Sequence, residues 1–144
     1  MRVRLLVSQA LLVGAAITFA SSAQAQTKMF HANATGAQEV PAVAGAGQAT
    51  GMFTLNTATK ELTWNVTYSG LSSDATAAHI HGPAASGANA GVEINLAAGG
   101  TKSPIAGKAT LTDAQIADLE GGKTYLNIHT ANNKGGEIRG QIAP

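Results

Sequence analysis

Three of the four histidines fall in two short strings whose spacing can do chemistry: His79 and His81 in TAAHIHGPA, and His129 in YLNIHT. In an extended strand residues i and i+2 share a face, so the imidazoles of His79 and His81 project together while Ile80 turns the other way, toward a core. A His-x-His pair joined by a distant third histidine is a common donor set for zinc or copper, since neutral imidazole suits both ions. Glu137 adds a carboxylate if its strand lies against that of His129. The expected metal ligands are therefore His79, His81, His129 and Glu137, and the expected ions are copper or zinc. Beside this stands the plainer reading, in which the histidines bond loop backbone or face water. His31 has no paired neighbour in the sequence and reads as a surface residue.

The placement of Glu137 follows from alternation in the C-terminal segment. Leu126 and Ile128 must share the core face with Ile138, which pairs Ile128 with Ile138, Asn127 with Arg139 and His129 with Glu137. His129, Glu137, Asn127 and Arg139 then occupy the outer face of one hairpin. The pattern does not say whether that hairpin adjoins the strand of His79.

Other catalytic templates are missing. There is no G-x-S-x-G elbow and no glycine-rich loop ending in Lys-Ser or Lys-Thr. The chain has no cysteine, which removes thiol nucleophiles, disulfides and zinc-thiolate sites. Glu39 and Glu137 would make an acid and base only if the fold joined them, and at these spacings they read as dispersed surface carboxylates. No enzyme activity is expected.

The elements that must position the histidines are strands. Leu62, Trp64, Val66 and Tyr68 alternate with Thr63, Asn65 and Thr67, the period-two pattern of a half-buried strand, and Phe53 and Leu55 before them complete a hairpin. Similar runs occupy 30–32, 76–81, 91–96, 105–111, 124–130 and 137–142, divided by segments rich in Gly, Ala, Ser and Pro. Thr112 and Gln115 have capping-box spacing, Ile116 and Leu119 give an apolar stripe, and Gly121 with Gly122 can stop the turn, so one helix is expected over about 113–120. Many short strands with one short helix indicate an all-β antiparallel sandwich or barrel. Phe30, Phe53, Trp64, Tyr68 and Tyr125 are its expected heavy core or boundary residues.

At the N-terminus, Arg2 and Arg4 precede an apolar run from Leu5 to Phe19 and then Ala23-Gln24-Ala25, the three-part pattern of a cleaved secretion signal over residues 1–25. Residues 26–144 are expected to form a single β domain. Removing the signal takes two of the nine basic residues, leaving seven against eight acidic ones, a net charge of minus one. A near-neutral chain whose one remaining arginine is Arg139 lacks the basic patch that nucleic acid requires. No later apolar run is long enough for membrane insertion. The protein is expected in the periplasm or outside the cell.

The strings GAQEVPAV (36–43), LTWNVTYSGL (62–71), TAAHIHGPA (76–84), LTDAQIADLEGGKTYLNIHT (111–130) and GGEIRGQI (135–142) together resemble the CHRD, or chordin-type, domain family in its bacterial secreted form. The resemblance implies an immunoglobulin-like β-sandwich or barrel outside the cytoplasm and carries no established activity with it. The expected function is a non-enzymatic binding module holding copper or zinc through histidines, with an envelope or extracellular protein as partner. Two alternatives are a metal-dependent redox enzyme, since the His-x-His string resembles the copper-ligand strand of copper-zinc superoxide dismutases, and a metal-free adhesion or matrix module. The chain lacks the dismutase cysteines and the fuller ligand set. Processing is directly checkable: the intact mass of the exported protein should correspond to a chain starting at Gln26, and retention of residues before Ala25 would contradict a cleaved signal.

Overall fold

The computed structural model describes residues 26–144, so the signal expected over residues 1–25 lies outside the described residues. Alternation of apolar and polar side chains generates eight strands among the described residues. They are β1 (Thr27–Thr35), β2 (Gln48–Asn56), β3 (Glu61–Ser69), β4 (Ala75–His81), β5 (Val92–Asn95), β6 (Ile105–Thr110), β7 (Tyr125–Thr130) and β8 (Ile138–Gln141). All pairings are antiparallel, in the order β5-β4-β7-β8-β1-β2-β3-β6. The sheet curls until its edges approach: Trp64 Nε1 on β3 donates to Leu96 O, just past β5, at 3.1 Å. The all-β class with one short helix is borne out as a nearly closed barrel.

Inward-facing residues of every strand meet in one cluster, with Phe53, Leu55, Leu62, Val66, Ile80, Leu126, Ile128 and Ile138 all inaccessible or nearly so. Trp64 lies opposite Gly107 on β6. A Cβ on Gly107 would come within 2.6 Å of the indole, so the absent side chain is what lets the ring lie across the neighbouring strand. Four of the five expected heavy residues, Phe30, Phe53, Trp64 and Tyr125, are buried, and Tyr68 packs partly buried at the edge of the core. Tyr125, however, is covered on the outer face of β7 and does not belong to the barrel cluster.

The helix α1 (Asp113–Glu120) has the expected capping box: the Thr112 hydroxyl accepts from Gln115 N, and the Gln115 side chain accepts from Thr112 N. Leu119 is buried and Ile116 packs against the core. Gly122, with φ +66, supplies the left-handed residue past the helix end. Lys28 of β1 meets Glu120 at 2.7 Å, an exposed ion pair that adds little to stability. Among the described residues no helix is long and apolar enough to cross a membrane.

Trp64→Ala removes a buried ring and its hydrogen bond, and should destabilise by about 3–5 kcal/mol. Asn65→Ala, on the outer face, should cost under about 0.5 kcal/mol. Denaturant unfolding of both variants checks this, and equal losses would contradict the face assigned to β3.

Candidate metal centre

β4 and β7 are neighbours, with Ala77 opposite His129, His79 opposite Asn127 and His81 opposite Tyr125. The expected register of β7 on β8 is also present, pairing Ile128 with Ile138 and Asn127 with Arg139. His79, His81, Tyr125, Asn127, His129 and Arg139 thus share the outer face of three adjacent strands. A register shift between Ile80 and His81 against β5 marks the end of regular pairing where His81 stands.

The structure brings His79, His81 and His129 together, with one donor nitrogen from each ring within 4.8 Å of the other two. Ring centroids are 4.9 Å apart for His79 and His129, 5.5 Å for His79 and His81, and 5.6 Å for His81 and His129. Hydrogen bonds on the far side of two rings decide where the lone pairs lie. His81 Nδ1 is 3.0 Å from Ala90 O, and His129 Nδ1 is 3.0 Å from Lys134 O. A carbonyl only accepts, so Nδ1 carries the hydrogen in both rings and Nε2 is a bare lone pair. His79 Nδ1 lies 3.1 Å from His129 Nε2 and donates to it. His81 Nε2 is buried and has no hydrogen-bond partner among the described residues.

Three converging imidazole nitrogens, two of them backed by backbone carbonyls, match the way metal-ligating histidines are oriented in known sites. Ligands around a tetrahedral zinc at about 2.0–2.1 Å lie roughly 3.3 Å from one another, so modest ring rotation suffices to close the set. Burial holds the pKa of His79 below its ordinary value, and the neighbouring His129 and His81 push in the same direction. Burial likewise lowers His81, against the bond to Ala90 O and with help from His129 and Arg139. Both rings are therefore neutral at neutral pH, the form that binds metal.

Glu137 does not join this group. Its carboxylate accepts from Ser72 N at 2.6 Å, Ser72 Oγ at 2.7 Å, Thr130 Oγ1 at 2.6 Å and Asn133 Nδ2 at 3.0 Å. Regular alternation in β8 starts only at Ile138, so extending it back one residue put Glu137 on the wrong side. Burial raises its pKa, but these four hydrogen bonds together outweigh burial and hold it below the usual value. Its partners pin the 131–136 loop, and that loop presents Lys134 O to His129.

The expectation of dispersed surface carboxylates also fails for Glu39 and Glu137, which are both buried. Glu39 comes in from the turn after β1, where Gly36–Gln38 forms a short 3-10 segment that the sequence reading lacked, and accepts from Asn127 Nδ2. Burial raises its pKa, opposed by Asn127 and the charge of Arg139. Gly136, at φ +127, passes so close that a Cβ would lie 2.6 Å from both Asn127 and Glu39.

Sequence reasoning also missed the second support. Arg139, fully buried, sets its guanidinium carbon 3.7 Å from the Tyr125 ring centre, and Tyr125 stacks on His81 with centroids 5.1 Å apart and planes 8° from parallel. Arg139 also donates to Asn89 Oδ1 and Ala85 O, each at 3.2 Å. These bonds fasten the 82–91 loop whose Ala90 O accepts from His81. The only signal for it in the sequence was a lone arginine opposite Asn127.

No curated protein and no solved structure matches the chain. The family model described as CHRD domain matches residues 30–142, a span that contains all of the barrel but the first three residues of β1, together with the three histidines and both loops behind them. On that match and this architecture, the chain belongs to the CHRD domain family.

Proposed function

We propose that this chain is an exported, non-enzymatic binding module of the cell envelope that holds one divalent transition ion, copper or zinc, through His79, His81 and His129. The observation that carries the reading is the buried, unpartnered lone pair of His81 Nε2 in a cluster whose other imidazoles converge on it. An orphaned buried acceptor costs about 1–3 kcal/mol, and a bound cation removes that cost. His79, His81 and His129 supply the nitrogens. Glu137 and Arg139 act through the loops that orient two of the rings. Three protein ligands leave a coordination position for water or for a donor from an envelope or extracellular protein partner.

Calorimetric titration of the mature chain with zinc tests the reading. Wild type should bind one ion, and His81→Ala should weaken binding by roughly a hundredfold or more. Glu137→Gln should lose roughly tenfold at most, because it disturbs an orienting loop and not a ligand. Equal affinity in wild type and His81→Ala would sink the site and leave the metal-free adhesion reading.

Acid should abolish binding, and the sign follows from the histidines. His79 and His81 have folded pKa values below the ordinary 6.5. They stay available to metal above that value and are lost as pH falls through their lowered values. The metal-free protein should lose stability as pH drops below about 6.5, because the unfolded chain takes up protons first. Melting temperatures across this range, with His79→Ala/His81→Ala as reference, check the prediction: an unchanged pH slope in the double variant would contradict it.

A further inference from the structure

The fourth histidine is not isolated in the fold. His31 stands on the outer face of β1 beside Met29, two residues away on the same face, and directly opposite Met52 on β2. Met29 is 61% exposed and Met52 45%, so both methionines of the described chain lie outside the core, beside the same imidazole. Single exposed apolar residues are ordinary on protein surfaces, but two thioethers flanking one imidazole are not scattered singles.

The backbone fixes how close they come. His31 N donates to Ala143 O at 2.7 Å and His31 O accepts from Ala143 N at 3.0 Å. Both its backbone groups therefore point away from β2, which makes His31 and Met52 a non-hydrogen-bonded pair. In such pairs the Cα atoms approach to about 4.5 Å and the side chains lie closest. The unbranched methionine side chain, with three rotatable bonds, brings its sulfur to a neighbour without backbone movement. No hydrogen bond occupies the His31 ring among the described residues, and the nearby outward residues Asn33, Thr50, Thr54 and Asn65 are uncharged.

We propose that Met29, His31 and Met52 form a second metal site, selective for a soft monovalent ion of the copper(I) type. Thioether sulfur selects copper(I) over zinc and other harder divalent ions, and imidazole accepts either class. The site is shallow and open, in contrast to the three-nitrogen cluster. It does not depend on that cluster, which is built on β4 and β7, and each can fail without the other.

Silver(I), a redox-inert stand-in for copper(I), is the probe, added to the mature chain carrying 13C-labelled methionine methyl groups. Both methyl resonances should shift and saturate at one equivalent, while zinc should leave them in place. Met52→Leu conserves volume on an exposed face and should keep the fold. It and His31→Ala should each weaken silver binding by roughly tenfold or more, and His79→Ala should leave the methionine response unchanged. Methyl resonances that do not respond to silver would overturn the site. So would silver affinity that is undiminished in Met52→Leu or in His31→Ala.

Discussion

A buried charge must be bonded on every side that water has left, and in this protein two such charges organise the outer face of the barrel. Arg139 and Glu137 flank Ile138, and each is almost inaccessible. The arginine spends its donors on the 82–91 loop and its flat face on Tyr125. The glutamate spends its oxygens on Ser72, Thr130 and Asn133. Each loop, fixed in this way, offers one carbonyl to one histidine ring. The tautomers of His81 and His129 are thus consequences of two charges that touch neither ring.

This arrangement explains why β7 sits where it does. Its inward residues Leu126 and Ile128 belong to the core, while Tyr125, Asn127 and His129 face outward, each used differently. Tyr125 lies between Arg139 and His81, Asn127 bonds Glu39, and His129 accepts from His79. Because β4 and β8 lie on either side of β7, one strand joins the histidine pair to the residues that hold the loops.

Much of this was legible in the sequence and some was not, for physical reasons. Alternation around Trp64 and Ile128 reports burial directly, so the strands, the β7 register on β8 and the capping box of α1 were all readable. Strand adjacency across the sheet is a non-local property, so nothing local placed β4 beside β7. Alternation also fails at strand ends, where the backbone leaves the pleat, and Glu137 lies one residue outside β8. Glu39 and Glu137 looked like surface groups because composition does not reveal which carboxylates the loops will enclose. His31 looked solitary for the same reason: Met52 is its neighbour only across the strand pair, and nothing in the string KMFHAN points to it.

The two proposed sites would answer different chemistry because their depth and donors differ. At the three-nitrogen cluster two of the rings, His81 and His129, are held by fixed carbonyls, so little of their side-chain entropy remains to be lost and only His79 must turn. At Met29, His31 and Met52 the donors are flexible and exposed, so ordering them opposes binding by about 0.5–1.5 kcal/mol per long side chain. Such a site would gain its selectivity from sulfur and not from geometry, and would exchange its ion more readily than a more enclosed one. The pre-oriented cluster suits retention. The open thioether face suits transfer. On the proposed reading the barrel would receive a soft ion on one face and keep a divalent ion on the other, with no movement of the core required between them.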